Sequence, residues 1–156
     1  MSNDPTDKIE RNGVTLGYLG RDISFVTRVL RAWLLEDTAA FLKAHDLAAG
    51  QVALLNLIAL NPGISQKQLA DAVVLKKSAL TKAINEMVAA SLIERRKEEG
   101  DQRFNALYLS ETGTARFTAM RKDMEASQER LMAALTPEER ELFFSFLWRL
   151  IDSYQS

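Results

Sequence analysis

Between Lys76 and Leu109 the chain reads KKSALTKAINEMVAASLIERRKEEGDQRFNALYL, and a change of period inside that stretch decides the fold. Up to Ala90 the apolar residues return at helical spacing. Leu80, Ile84, Met87 and Val88 fall on one face; Ser78, Lys82 and Asn85 fall on the other, with Thr81 at the margin. Beyond it, Leu92 to Arg96 and Asn105 to Leu109 read as two short strands, the second alternating through Leu107 and Leu109. Lys97 to Arg103 make a charged loop between them, with Gly100 free to take a positive φ. The stretch predicts a helix from about Lys76 to Ala90 followed by a β-hairpin with a polar tip.

Upstream, a helix from Ala48 to Leu60 ends at the turn signal Asn61-Pro62-Gly63. Ser65 and Gln68 then have the spacing of a capping box, which predicts a short helix to about Ala72. Helix, short helix, helix, hairpin is the order of a winged helix-turn-helix, whose second paired helix enters the DNA major groove. Such a helix needs hydrogen-bonding and cationic groups outside. Ser78, Thr81, Lys82 and Asn85 are suited to reading base edges; Lys76, Lys77, Lys67 and Arg95 are suited to phosphates.

The flanks are helical and apolar on too many sides. From Leu16 to Ala44 a stripe of Leu16, Leu19, Ile23, Val26, Leu30, Leu34 and Phe41 lies beside a second sector of Phe25, Val29, Ala32, Trp33 and Ala40. Ser110 can cap a helix from Glu111 to Leu135 despite Gly113 in its first turn. Thr136-Pro137-Glu138-Glu139 then opens a last helix whose apolar residues cover well over half its circumference. Both flanks call for a partner on each side, so a homodimer is expected. The expected fold is mainly α with a small β-hairpin wing. Residues 1–15 form a flexible N-terminal tail, 16–47 and 111–156 a helical dimerisation lobe, and 48–110 a winged helix-turn-helix DNA-binding lobe.

Composition excludes other classes. The 156 residues hold no Cys and one His, His45, which removes disulfides, thiolate chemistry and zinc sites built on sulfur. No G-x-S-x-G elbow, G-x-x-x-x-G-K-S/T or G-x-G-x-x-G is present, so neither an enzyme, a cofactor nor a metal is expected. The longest apolar stretch, Val52 to Leu60, is too short to span a membrane, and no secretory signal is visible, so the cytoplasm is the expected location. Formal net charge is −1. From Ser65 to Lys97, however, Lys67, Lys76, Lys77, Lys82, Arg95, Arg96 and Lys97 stand against Asp71, Glu86 and Glu94, a local excess of positive charge.

The sequence resembles the MarR family, the multiple antibiotic resistance regulators of bacteria. The resemblance is carried by Ser78 to Lys82, by Met87 to Arg95, by Asp101-Gln102-Arg103 and by Leu109-Ser110-Glu111-Thr112-Gly113. These look like that family's recognition helix, its L-x-x-x-G-L-I-x-R junction, its D-x-R wing and its L-T/S-x-x-G entry to the next helix. The resemblance implies that Arg103 enters the minor groove and Asp101 orients it, in line with the attraction of Arg to a narrow minor groove. It also implies regulation by a small aromatic or anionic molecule bound between the lobes. Phe25, Arg28, Trp33 and His45 are candidate pocket walls, with Arg28 as the carboxylate partner. The junction Gly is Ser91 here, where a left-handed residue is commonly needed.

Plainer readings stand beside these. The lysines can be an ordinary solvated face, Asp101 and Arg103 a turn ion pair, the aromatics core, and His45 a helix cap. The expected function is a homodimeric transcriptional repressor that binds a pseudo-palindromic double-stranded DNA operator and is released by a small ligand, with no membrane partner. The alternative is a winged-helix protein-interaction module or a small-molecule-binding protein not acting on DNA.

Overall fold

The computed structural model describes residues 9–48, 50–73, 76–98 and 101–154, and of residues 98 and 101–105 the backbone alone. They fall into two compact units, one up to residue 49 and one from Gly50 onward.

The first unit begins with strands β1 (Glu10–Arg11) and β2 (Val14–Thr15), in the segment expected to be a tail. Arg11 pairs with Val14 across Asn12 and Gly13, whose φ angles of 52° and 75° are those of a two-residue primed turn. A 3-10 turn over Gly17–Arg21 follows, and then α1 (Ile23–Ala44). The helix thus starts later than the expected Leu16. Asp22 is extended there, and its side chain accepts the Phe25 N–H at 2.7 Å, a cap that fixes the start. At the other end Asp46 has φ 50°, and the Leu47 N–H donates to the Leu42 carbonyl at 3.0 Å, closing a Schellman turn without glycine. No residue within α1 is buried.

The second unit holds α2 (Gln51–Leu60), β3 (Ile64–Ser65), α3 (Gln66–Val73), α4 (Lys77–Ala89), β4 (Ile93–Glu98), β5 (Asp101–Leu109), α5 (Glu111–Leu131) and α6 (Pro137–Ser153). Helix α2 starts at Gln51 rather than Ala48, because Gly50 caps it with φ 89°. Strands β3, β5 and β4 form one antiparallel sheet in that order. The hairpin strands run further than expected: Lys97 and Asp101 to Arg103, read as loop, lie within β4 and β5. Strand β3 was not expected at all; Ile64 and Ser65 pair with Leu107 and Ala106.

One core fills this unit. Leu54, Leu55 and Ile58 of α2, Leu69 of α3, Leu80, Ile84 and Met87 of α4, Ile93 and Leu107 of the sheet and Met120 of α5 are all at most 2% exposed. The inner face expected of α4 is therefore its buried face, with Val88 half-buried. Helix α5 ends at Leu131 instead of Leu135. Arg140 Nε donates to the Met132 and Leu135 carbonyls at 3.1 Å each, and its Nη1 to Glu129 Oε2 at 2.7 Å, fastening the turn into α6. The capping box at Thr136 forms as expected, with the Glu139 N–H donating to Thr136 Oγ1 at 3.3 Å and the Thr136 N–H to Glu139 Oε2 at 2.8 Å. Glu138 beside it is held below its ordinary carboxylate pKa by hydrogen bonds from its backbone N–H and the Thr136 hydroxyl. No residue within α6 is buried. Among the described residues no helix is long and apolar enough to cross a membrane.

Candidate nucleic-acid interface

The helix pair is set by its caps. Ser65 Oγ accepts the Gln68 N–H at 3.1 Å while Gln68 Oε1 accepts the Ser65 N–H at 3.0 Å, so the expected capping box opens α3. Gln66 Nε2 then donates to Thr81 Oγ1 at 2.7 Å, tying the first turn of α3 to α4. The Thr81 hydroxyl donates in turn to the Lys77 carbonyl at 2.8 Å.

The junction from α4 to the wing shows how the chain manages without glycine. Ser91 takes φ 55°. Its N–H donates to the Val88 carbonyl and that of Leu92 to the Met87 carbonyl, both at 2.9 Å, the pair of bonds that defines a Schellman turn. Leu92 and Met87, the residues such a turn brings together, are both buried. A left-handed serine costs about 1 kcal/mol. The surroundings hold it there: Ser110 Oγ donates to the Ser91 carbonyl at 2.5 Å and accepts the Gly113 N–H at 2.9 Å. Gly113 lies so close to Leu92 that an added Cβ would stand 1.8 Å from the Leu92 carbonyl oxygen. The glycine that seemed ill-placed in a first helical turn is what lets α5 close on the junction.

Of the residues expected to read bases, Ser78, Lys82 and Asn85 are exposed on the outer face of α4. Lys82 stands 3.9 Å from Glu86, an exposed pairing of little energetic weight. Thr81 is half-buried, and its hydroxyl is engaged within the helix pair, so the structure spends on α3 a group expected to face bases. Asn85 Oδ1 accepts from Arg95 Nη2 at 2.7 Å. Lys76 is the N-cap of α4, Lys77 its first residue, and Lys67 lies on α3; all three are exposed. Asp101 and Arg103 fall in β5, their side chains outside the described residues. Gln66 and the Asn85–Arg95 contact were not expected; partners so far apart in sequence leave no spacing signal.

The candidate ligand residues do not converge within one unit. The Arg28 guanidinium lies 5.5 Å from the Phe25 ring centre, whereas exposed Trp33 is approached by Arg11 at 6.0 Å. His45 caps the far end of α1 with its ring 4.6 Å from that of Phe41, and at about 1.5 Å rise per residue it lies about 30 Å from Phe25. Among the described residues no three His, Asp or Glu side chains gather at metal-ligand spacing.

A short helix tied to a second whose outer face is polar and cationic, followed by a hairpin joined to that second helix, defines a winged helix-turn-helix fold. Residues 45–103 match the model of the MarR family. Over that stretch the chain is similar to this family of transcriptional regulators. The HTH-type transcriptional regulator YybA of Bacillus subtilis is 29% identical over 108 residues, 69% of this chain and 72% of that protein. A MarR-family regulator of Listeria monocytogenes, solved with a 26mer DNA, superposes with a TM-score of 0.78 at 22% identity, over 85% of this chain and 88% of that one. A MarR-family protein of Mycobacterium tuberculosis, solved with salicylic acid, gives a TM-score of 0.64 at 20% identity, over 83% and 96%.

Proposed function

We propose that the protein is a homodimeric repressor that binds a pseudo-palindromic operator and is released from it by a small aromatic or anionic ligand. The observation that carries this reading is the outer face of α4, where Ser78 and Lys82 stand exposed over a helix whose opposite face is core. Lys76, Lys77, Lys67 and Arg95 surround it with positive charge suited to phosphates. Asp101 and Arg103 are assigned to the wing's minor-groove contact.

The dimer rests on the terminal helices. Residues 16–47 and 111–156 are assigned to a shared helical lobe, and the support is their uncovered apolar surface: Trp33 and Trp148 are 60% and 61% exposed. A twofold axis then presents two α4 helices to successive major grooves, about 10 to 10.5 base pairs apart. The ligand reading draws on the salicylic acid held by the mycobacterial relative and on Arg28 beside Phe25, a cation and a ring able to meet an aromatic acid. An effector of this kind lowers DNA affinity only through its preference for a dimer geometry that misplaces the two helices. A regulator acting on chromosomal DNA works in the cytoplasm.

Selection of bound DNA from a random pool, with and without salicylate, tests class, symmetry and regulation together. The expected result is enrichment of an inverted repeat whose recovery falls when salicylate is added. Enrichment of no sequence would overturn the regulator reading, and recovery indifferent to aromatic acids would remove the ligand from it.

A further inference from the structure

Strand β4 carries two successive arginines that the fold treats in opposite ways. Arg96 donates from Nε and Nη2 to Glu94 Oε2 at 3.3 and 3.1 Å, and its guanidinium lies 4.6 Å from the Tyr108 ring centre. A carboxylate thus offsets its charge and a ring occupies one of its faces. Arg95 donates instead to Asn85 Oδ1 at 2.7 Å. An amide carbonyl orients a guanidinium without cancelling its charge.

Asn85 shares the outer face of α4 with Ser78 and Lys82, so the tether brings a strand arginine to the edge of the face assigned to DNA. The same bond alters what Asn85 can do. Reading adenine takes the carbonyl and the amide nitrogen of one Asn together, and the carbonyl here is engaged. A long Arg side chain loses rotamer freedom when it grips DNA, and a tether that orders it beforehand reduces that loss.

We infer that Asn85 is a positioning residue: its carbonyl holds the Arg95 guanidinium beside the recognition helix as a fully charged fork for the DNA backbone. The inference rests on the DNA-binding reading above and assigns to one phosphate contact a side chain that sequence spacing assigned to bases.

The test titrates the selected operator with the full-length wild type, Asn85→Ala, Arg95→Ala, Arg95→Lys and the Asn85→Ala/Arg95→Ala double variant at several salt concentrations. Both residues are exposed, so the variants are expected to fold. Each alanine variant should weaken binding by about tenfold, and the double variant should bind no more weakly than Arg95→Ala alone. Arg95→Ala should lower the slope of log affinity against log salt by about 0.9 per arginine lost, while Arg95→Lys keeps the slope. Base preference of Asn85→Ala, measured by repeat selection, should match that of the wild type. Additive losses, or a base preference relaxed at one operator position in Asn85→Ala, would make Asn85 a direct reader and overturn the inference. So would unchanged affinity in Asn85→Ala. A wild-type chain that selects no DNA sinks the regulator reading itself, and this inference with it.

Discussion

Helices α4 and α6 are both rich in large apolar residues, yet α4 buries Leu80, Ile84 and Met87 completely while α6 buries nothing. The difference lies in the pattern. In α4 the apolar residues keep to one stripe, which packs toward α3 and β4, and the opposite face is left to polar groups. In α6 Leu142, Phe144, Phe146, Trp148, Leu150 and Ile151 surround the helix, and each is at least 39% exposed. One helix is finished within a single copy. The other leaves its apolar surface exposed, and α1 is in the same condition.

The largest effect expected is an asymmetry between these helices. Leu80→Ala should cost about 2 to 5 kcal/mol by urea unfolding at any protein concentration, since it leaves a cavity in a closed core. Leu150→Ala, at a residue 50% exposed, should cost little in dilute protein and should weaken the dependence of the unfolding midpoint on concentration. Equal, concentration-independent losses would break the contrast.

Gly113→Ala comes next, at about 3 kcal/mol, because the new methyl group would have to displace the Leu92 backbone. Thermal unfolding measures it. Ser110→Ala should cost about 1 kcal/mol, through the loss of the bonds to the Gly113 N–H and the Ser91 carbonyl. Smallest and opposite in sign, Ser91→Gly should stabilise by just under about 1 kcal/mol, relieving a left-handed serine. A destabilised Ser91→Gly would mean that the serine side chain contributes more than its backbone costs.

Much of the chain from Gly50 onward was legible because its signals are local. The Ser65–Gln68 and Thr136–Glu139 boxes, the Ser110 cap and the inner stripe of α4 lie within a few residues of their partners, and all formed. What was missed depends on contacts across the chain. Two-residue β3 is too short to show a period, and the Gln66–Thr81 and Asn85–Arg95 bonds join residues from different elements. The hairpin at Asn12-Gly13 is a different case, since that dipeptide is itself a turn signal but its flanks show no long apolar alternation. Helix ends were least legible: α1 and α2 start late, at caps supplied by Asp22 and Gly50, and α5 stops early, before the Met132 and Leu135 carbonyls that Arg140 takes.

In the proposed function, α4 and the wing of two copies grip one operator. A hydroxyl-radical footprint of the wild type and Arg103→Ala on the selected operator tests it most directly. Two protected patches related by a dyad about one helical turn apart are expected, with flanking minor-groove protection lost and affinity lowered by about 1 to 3 kcal/mol in Arg103→Ala. A single unsymmetrical patch, or a footprint and affinity unchanged by Arg103→Ala, would contradict it.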